Sequence, residues 1–163
     1  MARRVFFSFH YERDIWRASI VRNSWVTKAD REAAGFWDAS LWEETKRRGD
    51  AAIQRLIDGG LENTSVTVVL IGAETSSRRW VQYEITKSLE RGNGLLGIYI
   101  HNIKDQAGRT DRKGDNPFAQ FTARRDGRTI RLSDVCHTYD WVNDDGYSNL
   151  GKWVEKAAKD AGR

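Results

Sequence analysis

Residues 66–100 read VTVVLIGAETSSRRWVQYEITKSLERGNGLLGIYI, and the fold turns on how this stretch divides. Val66 to Ile71 is an apolar run rich in β-branched side chains, without a charge to mark a solvent face, and it is ended by Gly72. Such a run suits a strand buried on both faces at the centre of a sheet. Ser76 or Ser77 can cap a helix reaching to about Arg91, because Val81, Ile85 and Leu89 fall at i, i+4 and i+8 before Gly92-Asn93-Gly94 breaks the pattern. Leu95 to Ile100 is a second buried strand. Strand, helix and strand in this order make a right-handed crossover within a parallel sheet.

Working upstream, Val5 to His10 is another compact apolar run, and Arg13 to Asn23 reads as a helix. Ser24 to Ala39 then breaks into a long connection containing Trp25, Gly35, Phe36, Trp37 and Asp38, more chain than packing needs. Ser40 and Glu43 match a Ser-x-x-Glu capping box, and Ala52, Ile53, Leu56 and Ile57 recur at helical spacing until Gly59-Gly60. The first hundred residues therefore alternate strand and helix, which predicts an α/β fold of flavodoxin-like type: a central, mostly parallel sheet with helices on both faces. Downstream, Lys104 to Asn116 is polar, Arg128 to Leu132 reads as a short edge strand, and Ser148 is placed to cap a last helix carrying Leu150, Trp153, Val154 and Ala157. This third is too poor in apolar residues for its own core, so a single domain over 1–163 is expected, with its core at about 1–105 and an elaboration at 106–163.

The 163 residues suffice for a real core. Twenty-seven basic and 23 acidic residues intermingle, so the net +4 suggests nucleic-acid binding only weakly and suits an anionic dinucleotide or phosphate-bearing ligand as well; the charge count does not choose between them, and no nucleic-acid partner is expected. Cys136 is the lone cysteine, which excludes an internal disulfide and fits a reducing compartment. The segment from Met1 through Phe9 is too short and interrupted for a signal peptide or a membrane span, so a cytoplasmic protein without membrane attachment is expected. Seven tryptophans are many for this length, and some are expected to line a pocket for a flat ring.

Open α/β sheets bind ligands beyond the carboxyl ends of their strands. That rule selects Ser8, Phe9 and His10, the connection up to Asp38, and Gly72 to Arg79. On the helix that follows, Trp80 and Glu84 lie one turn apart on one face, with Tyr83 and Lys87 beside them. Each has a plainer reading. By local spacing a Glu in the first turns of a helix is a solvated residue favoured by the dipole; His10 reads as a satisfied core or surface histidine, Trp42 and Trp80 as packing residues, and Arg78-Arg79 as a solvated pair. The chain has no Gly-x-x-x-x-Gly-Lys-Ser/Thr loop, no Gly-x-Gly-x-x-Gly after its first strand, no Cys/His spacing for zinc and no nucleophile elbow. An enzyme built on it would work without a metal cage, a covalent triad or a resident cofactor.

These residues resemble a known family. Val5-Phe6-Phe7-Ser8-Phe9 resembles the first-strand motif of Toll/interleukin receptor (TIR) domains, and residues 76–84 resemble their Ser…Trp-x-x-x-Glu segment. More narrowly, Phe6 to Tyr11, Arg22-Asn23, Trp25 to Thr27, Asp38 to Glu43 and Asn63 to Thr67 are similar to the TIR proteins of bacterial Thoeris antiphage systems. The likeness implies a flavodoxin-like TIR fold and an enzyme that converts NAD into a cyclic ADP-ribose isomer on phage infection. It also implies a separate effector that the product activates, and a phage-derived trigger. By position it makes Glu84 the catalytic carboxylate, Phe6 and Ser8 the first-strand edge of the substrate pocket, and Asp38, Trp42, Trp80 and Tyr83 further pocket candidates; His10, at the end of the first strand, is added to these as a substrate contact from its place alone. The chain departs from many NAD-cleaving members after the first strand, where they have arginine and it has His10-Tyr11, which leaves the phosphate contact and resting activity open.

The chemistry asks little of a protein. Nicotinamide leaves NAD as a neutral group from a cationic bond, so departure needs a negative charge near the developing ribosyl cation and no general acid. Exclusion of water then lets an internal hydroxyl capture that centre. Two other readings share the fold. A non-catalytic TIR adaptor would act by assembly, and the aromatic loop around Phe36-Trp37, expected to be exposed, is a candidate surface for self-association. A receiver-like nucleotide sensor fits less well, since the first strand ends without an acidic pair.

Overall fold

A computed structural model describes residues 3–163; Met1 and Ala2, where the N-terminal segment read above begins, lie outside the described residues. In chain order the elements are β1 (Arg3–Ser8), α1 (Tyr11–Trp25), β2 (Arg31–Ala34), α2 (Ala39–Arg48), α3 (Asp50–Leu61), β3 (Val66–Ile71), α4 (Arg79–Arg91), β4 (Gly94–Tyr99), β5 (Thr122–Arg125), β6 (Arg128–Arg131), α5 (Leu132–Val135), β7 (Thr138–Asp140) and α6 (Gly146–Asp160). Among the described residues a five-stranded parallel sheet runs β2-β1-β3-β4-β7 and a separate antiparallel hairpin pairs β5 with β6. This is the expected α/β, flavodoxin-like arrangement, with β3 at its centre and every residue of β3 buried.

The two-residue period of the strands sorts side chains to opposite faces. Val5, Phe7, Val66, Val68, Leu70, Leu96 and Ile98 pack against α1 and α6, whose Ala18, Val21, Leu150 and Val154 complete that core. Phe6 and Ser8 face the other way. There Phe6 packs on Trp42, Ile53 and Ile57, while Val69, Ile71 and Leu95 pack on Val81 and Ile85 of α4. Ser8 is thereby aimed at α4, the helix that carries Glu84.

Several sequence expectations need correction. The connection after α1 contains β2, which is only four residues long, polar, and held by pairing to β1; a short edge strand has no period to betray it. Its aromatic residues are not an exposed loop. Phe36 lies edge-on to Phe7 at 5.7 Å and Trp37 stacks on Trp42, both half-buried, so the surface expected for self-association is folded into the molecule. The turn depends on Gly35, whose φ is +90° and where a Cβ would sit 2.2 Å from the Phe7 carbonyl oxygen. The single second helix is two helices broken at Gly49, φ 102°, and it runs through Gly59-Gly60 to Leu61. Its cap is Asp38, whose carboxylate accepts from the Leu41 N–H at 2.8 Å, and not Ser40.

Near the site, a 3-10 turn at Thr75–Ser77 precedes α4, so neither Ser76 nor Ser77 is the N-cap; that place belongs to Arg78. Gly92 ends α4 in the left-handed region as expected. Arg128–Arg131 is a strand of the outlying hairpin and not an edge of the main sheet, an edge supplied by β7 instead. Asp145, not Ser148, precedes the last helix, whose Leu150, Val154 and Ala157 are buried while Trp153 is half-buried. No helix of the described residues is long and apolar enough to cross a membrane.

Candidate active site

At the carboxyl end of β1, where α4 begins and α2 crosses above, a cleft of about 300 Å³ opens, at the lower end of the size range of small-molecule sites. Its floor holds Glu84, 5 % exposed although it sits in the second turn of a helix. The solvated reading of this residue is therefore corrected. Val81 and Ile85 anchor α4 in the core, and the 100° step between helical positions rolls Glu84 toward β1 and not toward water. Ser8, fully buried, donates its hydroxyl to Glu84 Oε1 at 2.7 Å.

Burial pushes the Glu84 carboxyl up to about 8, and the Ser8 hydrogen bond opposes only part of that shift. With no positive charge beside it, the group is thus mostly neutral at pH 7. A positive charge arriving beside it would favour the carboxylate, so its ionisation is coupled to the charge of what binds.

The walls are aromatic. Trp42 of α2 stacks on Trp37 at 5.6 Å between ring centres with planes 10° apart, and Tyr11 lies against Trp42 at 5.2 Å. The Tyr11 hydroxyl donates to the Trp37 carbonyl at 2.8 Å, tying the loop to α1. Glu12 fixes the far side of this wall, accepting from Trp42 Nε1 at 3.2 Å and from Lys46 Nζ at 3.0 Å on the same oxygen. Burial would raise the Glu12 carboxyl, yet these two donors hold it at about 2.

The mouth is basic. Arg78, Arg79 and Lys46 all border it; Arg79 lies 4.5 Å over the Trp80 ring and pairs with Asp50 at 2.8 Å, so the pair read as merely solvated in fact edges the cleft. His10 lines the cleft at 8 % exposure. Burial first, and then the Arg78 charge, depress its pKa, which leaves a neutral imidazole whose buried Nδ1 has no hydrogen-bond partner among the described residues. Among those residues no cluster of His, Cys, Asp and Glu could hold a metal ion.

Of the residues selected from the sequence, Glu84, His10, Trp42 and Trp80 line the cleft together. Ser8 lies one layer beneath, bonded to Glu84. Phe6 is fully buried in the core under Trp37 and Trp42. Asp38 is exposed and caps α2, and Tyr83 points along the outer surface, where its hydroxyl donates to Asp58 at 2.9 Å. The structure does not bring these last three to the cleft. The strand-end rule also found Phe9 and, in the connection up to Asp38, Trp37, whereas Phe7, Tyr11, Glu12 and Lys46 were missed as lining residues; nothing local marks Glu12 or Lys46, which meet 34 residues apart.

The family described as "Thoeris protein ThsB, TIR-like domain" matches residues 6–105, the part that builds the cleft. The chain is also 44 % identical over 191 aligned positions to a protein of Bacillus cereus (strain MSX-D12) named "Putative cyclic ADP-D-ribose synthase ThsB1", an alignment spanning 94 % of this chain and all of that protein. The match across the cleft-bearing residues and the identity along nearly the whole length place this chain in the TIR-like family of Thoeris ThsB proteins.

Proposed function

We propose that the protein is a TIR-domain enzyme that cleaves NAD at the nicotinamide–ribose bond and closes the product into a cyclic ADP-ribose isomer, a cytoplasmic signal for a separate effector in antiphage defence. The observation that carries this reading is Glu84: one desolvated carboxyl at the floor of an aromatic cleft with a basic mouth. The name borne by the Bacillus cereus relative supports it.

In this reading the nicotinamide ring enters with its positive charge near Glu84, which lowers the carboxyl's affinity so that its proton is released to solvent and a carboxylate faces the ribose. The bond from ribose C1′ to the ring nitrogen breaks, its electron pair staying on nicotinamide, and Glu84 stabilises the cationic ribosyl carbon. A hydroxyl of the adenosine half attacks that carbon and forms the new C–O bond. Its proton passes to Glu84, whose affinity near pH 8 suits a base at neutral pH. Trp42, Trp37 and Trp80 hold the flat rings and keep water out, while Arg78, Arg79 and Lys46 face the diphosphate. Water in place of the internal hydroxyl would give linear ADP-ribose. An adaptor that acts only by assembly has no use for a buried, destabilising carboxyl, which favours the enzyme.

The test is incubation of the purified protein with NAD, alone and in extract of phage-infected cells, with products resolved by mass spectrometry. A cyclic product from the wild type and none from Glu84→Gln is the expected result. Absence of NAD conversion under both conditions would refute the reading.

A further inference from the structure

A second cavity, of about 330 Å³, lies away from the Glu84 cleft, at the edge of the sheet beside the start of β4. It exists because β7 is too short. β7 pairs only with Gly97–Tyr99, and α5 carries the preceding chain off the sheet, so Gly94 to Leu96 have no strand on that side. The Gly97 N–H bonds to the His137 carbonyl, and the Trp141 N–H to the Tyr99 carbonyl, each at 3.0 Å. Residues two apart point their peptide groups the same way. The N–H and C=O of Leu95 are therefore directed into the cavity, one donor beside one acceptor.

The other walls complement that edge. Tyr139 and Trp153, stacked at 4.1 Å with planes 8° apart, form one side, and the apolar side chains of Leu95, Leu96 and Leu132 reach it from both faces of the sheet. The hairpin covers it with Arg124 and Arg125. Arg124 is turned back onto its own hairpin, donating to the Gly127 carbonyl at 2.9 Å. Arg125 sits directly across from Arg128, both exposed, and neither has a carboxylate partner among the described residues. Like charges directly opposite on paired strands are destabilising, so an anion between the hairpin and the cavity would relieve a strain the fold leaves in place.

We infer that this cavity is a second ligand site that takes a nucleotide, its heterocyclic base edged against the Leu95 peptide groups and its phosphate on Arg125. A base presents a donor and an acceptor side by side, as a strand does, and a flat face to aromatic side chains. The inference is independent of the reading of Glu84, because the two sites share no residue.

Isothermal titration of the full-length chain with AMP, adenosine and inorganic phosphate tests it in a Trp80→Ala background, which weakens ring stacking in the Glu84 cleft, so that a loss on adding Arg125→Glu reports this cavity alone. Saturable AMP binding is expected, at least tenfold tighter than adenosine or phosphate, and weakened at least tenfold by adding Arg125→Glu. That substitution is at an exposed site and removes the clash with Arg128, so the fold is retained. Absence of AMP binding in this background, AMP binding indifferent to Arg125→Glu, or phosphate binding as tight as AMP would each overturn the inference.

Discussion

Glu84→Gln should stabilise the protein at neutral and alkaline pH while abolishing its activity. The carboxyl is 5 % exposed and its pKa is raised from 4.5 to about 8 by burial. A group that holds its proton more tightly in the native state favours folding fully below its unfolded pKa, and that favour is lost as pH rises through the folded value. At about 1.4 kcal/mol per pH unit, the wild type forfeits about 3 kcal/mol by pH 7 and approaches about 5 above pH 8, an upper bound that water entering the cleft would trim. Glutamine is neutral throughout, is nearly isosteric, and still accepts from Ser8 through Oε1. The two proteins should therefore have equal stability near pH 4 and diverge steadily above it. For a chain of this length each kcal/mol moves the Tm by about 2–4 °C. Urea and thermal melts from pH 4 to 9 read the difference, with Glu90→Gln on the same helix as the control. NAD turnover should meanwhile fall by about 100-fold or more. A constant offset in stability across this pH range, or a variant less stable at pH 8, would refute the account of Glu84 as a buried carboxyl held against its preference.

Ser8→Ala removes the hydroxyl that favours the charged form of Glu84; the acid limb of the pH–rate profile should move to higher pH, and an unmoved profile would detach Ser8 from the chemistry. Trp42→Ala and Trp80→Ala should each lower the cyclic fraction of the product and raise linear ADP-ribose, measured by mass spectrometry, because each opens the aromatic wall to water; an unchanged ratio in both would remove them from substrate contact. Gly35→Ala should destabilise the fold by more than about 2 kcal/mol in urea melts, since the new methyl meets the Phe7 carbonyl in a left-handed backbone; a loss below about 1 kcal/mol would show that the turn can yield.

The sequence by itself determined the sheet and its chemistry at the level of type. Val66–Ile71 and Leu95–Ile100 carry no charge and are mostly apolar, and the Val81, Ile85, Leu89 stripe has one period, so strand, helix and strand were legible from local pattern, as was Glu84 on the same helix as Trp80. What has no local signature was not legible. β2 and β7 exist because longer strands pair with them, the break at Gly49 because the left-handed backbone there joins α2 to α3, and the neutral state of Glu84 because β1 and α4 close over it. Spacing fixes which face of a helix a residue occupies. Only the packing of other elements against that face decides whether it meets water, and with that whether a glutamate is a solvated charge or a buried acid, and whether Glu12 and Lys46, 34 residues apart, hold one wall of a cleft.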